Sequence, residues 1–443
     1  MSSELDHILA ELYARQPEQH VRPRLEPTKR LVELMGDPQR NYGIIHITGT
    51  NGKTSTARII ERILREHGLR TGRLTSPHLV SFNERIALDG EPVSDEFLVD
   101  TYRDNKPLME FVDRELSEQG EVPLTFFEAF TALAFQLFSD APIDVLVLEV
   151  GMGGEWDATN VADADVAVFT SIDLDHQKSL GSTVEEIATT KAGIIKPNSL
   201  VVSSSQYPGV TEVLKSRAPE LKLSGADFGV SEISADGFGT RFSVQGLANE
   251  YPLIWMPIIG HHQAQNAATA IAAVELFLGE GNRPIADEVL RAAMADAVSP
   301  GRLQVVSKDP LIVLDGAHNP AGVRSLNQAI EQHFGSPVRL GLVAMLSDKD
   351  LSGSVAELAK TFDRVVCTSP RSPRGLPAGE LASYCEEYGV EVIAQESDPA
   401  AAFNLASRLA SEDKAALFVT GSLYLIGDVL AEIQSQREID DEE

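Results

Sequence analysis

Residues Gly43 to Ser55, Gly-Ile-Ile-His-Ile-Thr-Gly-Thr-Asn-Gly-Lys-Thr-Ser, run an apolar stretch straight into a turn holding two glycines, a lysine and a Thr-Ser pair. Ile44, Ile45 and Ile47 suit a buried strand, and Thr56 to His67 sets Ile60, Ile63 and Leu64 on one helical face before Gly68 stops it. Strand, loop and helix in that order are the setting of a phosphate loop. Gly49 and Gly52 let backbone N–H groups approach phosphate oxygens, the helix N-terminus adds partial positive charge, Lys53 reaches the outer phosphates, and Thr54 can hold Mg²⁺. The common nucleotide motif wants glycine five positions before the second glycine, where this chain has Ile47, so the loop is a shortened variant. The alternative is an ordinary glycine-rich turn; the flanking elements and the Lys-Thr-Ser run decide for a nucleoside triphosphate.

At 443 residues the chain exceeds what one hydrophobic core usually supports, so two domains are expected. No apolar run reaches the roughly 18 residues that span a bilayer, and Met1 to Gln16 is polar with no signal-peptide core, so a cytoplasmic protein is expected. Cys367 and Cys385 show no CxxC spacing, which suggests neither a zinc site nor a disulfide framework. The formal charge of −29 argues against a nucleic-acid backbone or an anionic membrane as partner, because the long-range field repels both. A small anion needs local cations and backbone amides, which the opening loop supplies. Glu438 to Glu443 is mostly acidic and reads as a disordered tail.

Strands then alternate with helices. Arg73 to Leu79 ends a short strand in a turn at Pro77, and Leu124 to Phe138 is a helix with Phe127, Phe130, Leu133, Ala134 and Leu137 inward. Asp144 to Val150 is an apolar strand broken only by Glu149 and followed by Gly151-Met152-Gly153-Gly154. Val166 to Ser171 is another, leading to Asp173-Leu174-Asp175-His176; a helix over Thr183 to Lys191 and a strand over Leu200 to Ser203 follow. The alternation predicts an α/β fold with a phosphate loop in a mostly parallel sheet, whose ligands gather at the strands' carboxyl ends. Ser76, Glu149 and His176 all fall there. Leu221 to Trp255 reads as a small antiparallel annex and His262 to Phe277 as a helix. Val298-Ser299-Pro300-Gly301 marks a boundary between residues 1–297 and 298–443. The second part, with strands at Leu311–Leu314, Val338–Met345, Arg364–Thr368, Val390–Ala394 and Ala416–Thr420, is expected to be a smaller Rossmann-like domain without its own phosphate loop.

Several residues carry two readings. Glu149 needs a partner to stay ionised in an apolar strand, either a divalent cation beside the phosphates or N–H groups of the glycine turn. His176 is a metal ligand or a solvated loop histidine, and Ser76 before proline is a ligand or a turn former. Gly260-His261-His262 offers no third ligand on a helical face and reads as a helix start. No Gly-x-Ser-x-Gly elbow places a serine nucleophile.

Gly49-Thr50-Asn51-Gly52-Lys53-Thr54-Ser55, Thr75-Ser76-Pro77-His78-Leu79, Leu148-Glu149-Val150-Gly151-Met152-Gly153-Gly154, Lys191-Ala192-Gly193-Ile194-Ile195-Lys196 and Asp315-Gly316-Ala317-His318-Asn319-Pro320 together resemble folylpolyglutamate synthase, a family of the Mur ligase superfamily of ATP-dependent amide ligases. The segments come in family order and cover nearly the whole chain. The resemblance implies that Asn51, Gly52, Lys53, Thr54 and Ser55 hold ATP, and that Ser76, Glu149 and His176, with Thr54, hold two Mg²⁺ ions directly or through water. It implies a carbamate made from Lys191 and CO₂ near the second ion; the alternative is a plain lysine paired with a carboxylate. Asn266, Arg302 and Asp315 are then nucleotide contacts, with His318 close to the phosphates, and Lys53, Lys191 and His318 carry the catalysis at an interface between the two domains.

Family members with two activities bind dihydropteroate near Leu-Thr-Phe-Phe-Glu and Leu-Asp-Ala-Thr-Asn, matched here by Leu124 to Glu128 and Trp156 to Asn160. That match assigns Thr125, Phe126, Phe127, Glu155, Trp156 and Asp157 to the acceptor, with core packing as the alternative for the two phenylalanines. Glu155 departs from the family, standing where many relatives carry arginine. The resemblance thus implies a monomeric ligase that adds L-glutamate to dihydropteroate and to the γ-carboxylate of reduced folates through an acyl phosphate. The other readings are folylpolyglutamate synthesis alone, a ligase for peptidoglycan precursors, and a nucleotide-binding regulatory protein; the metal-type ligands grouped around the loop oppose the last.

Overall fold

The computed structural model describes residues 2–16, 22–335 and 338–442. Its first sheet holds β1 (Gly43–Thr48), β2 (Thr71–Leu74), β3 (Ile86–Leu88), β4 (Glu91–Pro92), β5 (Val145–Glu149), β6 (Val166–Phe169), β7 (Leu200–Ser203) and β8 (Lys222–Leu223). Their order is β4-β3-β2-β5-β1-β6-β7-β8, parallel from β2 to β8 with an antiparallel edge at β3 and β4. β1 lies between β5 and β6 and is buried on both faces, as a parallel strand covered by helices must be, with Ile45 and Ile47 on one face and Ile44, His46 and Thr48 on the other. Ile45 and Ile47 pack with helices Lys53–Glu66 and His261–Gly279, and Ile44 packs on the opposite face with helix Phe126–Asp140. All three are at most 1% exposed, each contributing roughly 2 kcal/mol of burial, so the strand feeding the phosphate loop is firmly seated.

The loop's shape follows from Gly52, whose φ of 87° is left-handed; a Cβ there would sit 2.6 Å from Asn266 Oδ1. Helix Lys53–Glu66 begins directly after it with no side-chain cap, so its first N–H groups are left for a ligand. The expected annex is a three-stranded antiparallel sheet, β9 (Gly229–Asp236), β10 (Gly239–Gln245) and β11 (Glu250–Met256), ordered β11-β10-β9. Its expected start at Leu221 is corrected: Lys222 and Leu223 pair in parallel with Val202 and Ser203 and extend the main sheet.

The second sheet holds β12 (Gln304–Lys308), β13 (Leu311–Leu314), β14 (Arg339–Val343), β15 (Arg364–Cys367), β16 (Glu391–Gln395) and β17 (Ala416–Thr420), in the order β12-β13-β17-β14-β15-β16. Helices cover both faces over two apolar clusters. Leu79, from the turn after β2, packs against the cluster that contains Leu425, Ile426 and Val429, which fastens the first sheet's rim to the second. Glu438 to Glu442, expected as part of a disordered tail, continue helix Leu423–Glu442, favoured by helix-forming Glu, Gln and Arg in the preceding turns, and Glu443 lies outside the described residues.

Candidate active site

The carboxyl ends of both sheets open onto one cleft of about 1570 Å³. Lys53, Thr54, Ser76, Glu149, His176, Lys191, Asn266, Arg302, Asp315 and His318 all line it. At its first-sheet end the Lys53 ammonium bends over the loop, donating to the carbonyls of Gly49 at 3.1 Å and Thr50 at 3.3 Å. Thr54 Oγ1 donates to Glu149, 3.0 and 3.1 Å from its two carboxylate oxygens, and the Ser76 N–H also donates to that carboxylate. Burial pushes the Glu149 carboxyl up, against the pull of Lys53, Thr54 and Ser76. Lys191, 4% exposed, donates to Gly49 O at 2.8 Å, and burial, then Lys53, brings its pKa down to about 7. Ser55 faces the other way in part: its hydroxyl meets Ser299 at 2.9 Å and ties the loop helix to the linker.

His176 sits in left-handed backbone with φ 50°, before the short helix Gln177–Leu180. Its Nε2 is 3.7 Å from Asp175 Oδ2 and 3.4 Å from the Lys349 ammonium. Burial, then Lys349, lowers its pKa to about 4. Lys349 itself pairs with Asp175 at 2.8 Å, both side chains nearly buried. Burial opposes ionisation of Asp175, but Lys349, His176 and His318 overcome it and hold the carboxyl below its usual range. The structure therefore joins Ser76, Thr54 and Glu149 in direct contact, and places His176 against a lysine reaching over from the second sheet. Among the described residues no three His, Cys, Asp or Glu side chains converge as metal ligands.

From the second sheet, the Asp315 carboxylate accepts the N–H groups of Leu303 and Ala317, each at 2.9 Å; burial raises its pKa and Arg302 opposes the rise. His318 Nδ1 donates to Gly316 O at 2.8 Å, leaving Nε2 as the bare nitrogen, and burial lowers its pKa to about 3. Asn319 Nδ2 donates to Asn51 Oδ1 at 3.2 Å across the cleft.

At the far end Thr125, Phe127, Trp156 and Asp157 line the wall, but two residues expected there do not. Phe126, 2% exposed, stacks on Tyr13 and Phe130 inside the core, since the next position along the helix is the one facing out. Glu155 is exposed outside the cleft, its backbone held by Thr190 O and Asn160. Sequence reasoning missed Arg24, which forks onto both Glu128 oxygens at 2.9 Å beneath that wall, and Arg374, which reaches Asp348 and Tyr424. It also missed Lys349; the usable signal was its place in Asp348-Lys349-Asp350, after the carboxyl end of β14.

Two family models divide the chain: Mur ligase middle domain matches residues 117–274, and Mur ligase, glutamate ligase domain matches residues 301–423. The fold and the cleft are thus those of a Mur ligase. A dihydrofolate synthase/folylpolyglutamate synthase of Mycobacterium tuberculosis is 39% identical over 95% of this chain and 89% of its own. Its organism's folylpolyglutamate synthase complexed with ADP superposes with a TM-score of 0.91 at 38% identity, covering 97% of this chain and 98% of that one. The Escherichia coli protein in complex with DHPP and ADP gives a TM-score of 0.83 at 29% identity, covering 98% of each chain. This chain belongs to the dihydrofolate synthase/folylpolyglutamate synthase family.

Proposed function

We propose that this chain is an ATP-dependent ligase that adds L-glutamate to dihydropteroate and to the γ-carboxylate of reduced folates. One observation carries the reading: a single cleft runs from the phosphate loop to the wall of Thr125, Phe127, Trp156 and Asp157, with the second sheet's Arg302, Asp315, His318 and Lys349 facing it. The nucleotide lies along Asn51, Gly52, Lys53, Thr54 and Asn266, with Arg302 and Asp315 on its far side, and the pteridine end lies against Phe127. A carboxylate is a poor electrophile in water, so it attacks the γ-phosphorus of ATP, ADP leaves, and the acyl phosphate remains. The glutamate amine then attacks the acyl carbon, loses a proton and expels phosphate. Lys53, freed from the loop carbonyls, meets the charge that develops on the phosphoryl oxygens, and closure of the two sheets excludes water.

Glu149, Thr54 and Ser76 fit a Mg²⁺ ion, because the buried carboxylate is met only by hydroxyl and N–H donors that an ion and its waters can replace. Mg²⁺ held there by Glu149 and Thr54 would supply positive charge against the phosphates of the nucleotide. The surroundings of His176 do not fit a second ion while Lys191 and Lys349 are both ammonium groups. They fit once the Lys191 amine adds to CO₂, forming an N–C bond and releasing a proton, which replaces a cation by a carbamate; a pKa of about 7 leaves much of that amine neutral and able to react. The working units are residues 1–297 and 298–443, acting as a monomer on small molecules in the cytoplasm, without nucleic acid or membrane. In support, the charge is −29 and no helix among the described residues is long and apolar enough to cross a membrane.

ADP release is the test, measured with glutamate plus dihydropteroate, with glutamate plus a reduced folate, and with no acceptor. Release in both acceptor arms is expected. Release with the folate alone restricts the enzyme to one activity, and release that ignores the acceptor contradicts the reading.

A further inference from the structure

His46 sits on β1, three residues before the phosphate loop, and is fully buried. It does not line the cleft. Strand alternation puts His46 and Thr48 on the face opposite Ile45 and Ile47, toward the helix that carries the acceptor wall. Thr48 Oγ1 donates to Gly153 O at 2.8 Å, so this face of β1 already holds one carbonyl of the turn after β5.

His46 Nε2 lies 2.9 Å from Thr159 Oγ1, and Thr159 Oγ1 donates to Asp157 Oδ1 at 2.5 Å. A hydroxyl has one proton, and here it is spent on the carboxylate, so its lone pair accepts from His46. The direction of the chain is fixed as His46 Nε2–H to Thr159 Oγ1–H to Asp157. His46 Nδ1 is then a bare acceptor, and it has no hydrogen-bond partner among the described residues. A buried nitrogen left unpaired costs free energy that an apolar side chain would not, so the histidine does something there besides fill space.

What it holds is the carboxylate that organises the acceptor end. Asp157 Oδ1 also accepts the Thr159 N–H at 3.0 Å, and Oδ2 accepts the Met152 N–H at 2.8 Å. Asp157 thereby sets the Gly151–Gly154 turn against Phe127, whose ring is so close that a Cβ on Gly151 would meet it at 2.5 Å. The phosphate loop is held by other bonds, from Thr50 to Ser171 O and Asp173 O and from Lys191 to Gly49 O, none of which passes through His46.

We propose that His46 is a positioning residue for the acceptor: through Thr159 it orients the Asp157 carboxylate, and with it the glycine turn and Phe127 wall against which the pteridine is held. The inference rests on the reading of that end of the cleft as the pteridine acceptor's site. It assigns the strand that feeds the phosphate loop a second task, with one face serving the nucleotide and the other the acceptor.

The test uses His46→Leu, which removes both the donor and the orphaned nitrogen, and Thr159→Val, which removes the relay hydroxyl at nearly constant shape. His46→Gln and Thr159→Ser, which restore a donor and a hydroxyl, are the rescues. KM for dihydropteroate is expected to rise about tenfold in each apolar variant while KM for ATP stays within about twofold, with no further loss in the double variant and substantial recovery in the rescues. In nucleotide-free enzyme, amide hydrogen exchange at Met152 and Thr159 is expected to quicken in both apolar variants. Equal rises in both KM values, or unchanged KM for dihydropteroate, overturn the proposal. If the native enzyme makes no product from dihydropteroate, the substrate reading falls by itself. Exchange at Met152 and Thr159 still decides the relay, and unchanged exchange overturns it.

Discussion

Lys191 shows at the residue scale how burial changes the ionisation of a side chain. Its amine is enclosed beside Gly49 O and near Lys53, and its pKa is about 7 against an ordinary value near 10.4 in an unfolded chain. Between those values the unfolded chain binds a proton that the folded chain does not, so the lysine weighs least on stability above pH 10.4 and most below pH 7. In CO₂-free buffer the urea midpoint of the native protein relative to Lys191→Met should therefore rise from pH 7 to pH 9.5, on the order of 1 kcal/mol per pH unit in stability. A pH-independent gap would contradict this. Nothing in Lys-Ala-Gly shows burial, so the sequence alone left the residue between a carbamate and an ordinary ion pair. Phe127 was expected to face inward with Phe130 and Leu133, and the structure corrects this: Phe127 is half-buried and lines the cleft, while Phe126 takes the place in the core. Helix Phe126–Asp140 is buried around most of its circumference, so periodicity gives no face to prefer, and a one-residue step separates core from cleft.

At the scale of elements, the cleft wall of Thr125 and Phe127 depends on how helix Phe126–Asp140 begins. Thr125 accepts the Glu128 N–H at 3.3 Å and Glu128 accepts the Thr125 N–H at 2.7 Å, while Arg24 neutralises the same carboxylate. Thr125→Ala should lower stability by about 1 kcal/mol, read from urea unfolding, and raise KM for the acceptor more than KM for ATP. A stability loss with both KM values unchanged would separate the cap from the site. The parallel strands were legible in the sequence, because continuous apolar runs ending at Gly or Pro have few other uses. Helix Asp95–Glu118 and edge strand β12 were not assigned. The strand's residues from Gln304 to Ser307 are only half-buried and it ends in an exposed lysine, so its side chains carry little alternation to read.

For the whole molecule, the two sheets meet through few polar contacts around a large cleft. Asp175–Lys349 is the nearly buried ion pair among them, and Asn51–Asn319 is a single hydrogen bond. Removing one member of a buried pair leaves the other charge uncompensated, which shifts the balance toward an open cleft. Lys349→Met should enlarge the radius of gyration of the nucleotide-free protein in small-angle scattering, and saturating ATP should reverse much of that change; an unchanged scattering curve would show that Leu79 and its neighbours hold the sheets unaided. The placement of Ser76, Glu149 and the phosphate loop on one rim was legible because strand order in a parallel sheet sends those loops to the same edge. Lys349 was not, since contacts between two sheets depend on their relative seating, which no local pattern encodes. The most direct test of acyl transfer in this cleft follows an atom. With dihydropteroate labelled by ¹⁸O at both carboxylate oxygens, plus ATP and glutamate, each released phosphate should carry one labelled oxygen, because that oxygen bridges carbon and phosphorus in the acyl phosphate. Phosphate free of label, released together with ligated product, would contradict that route.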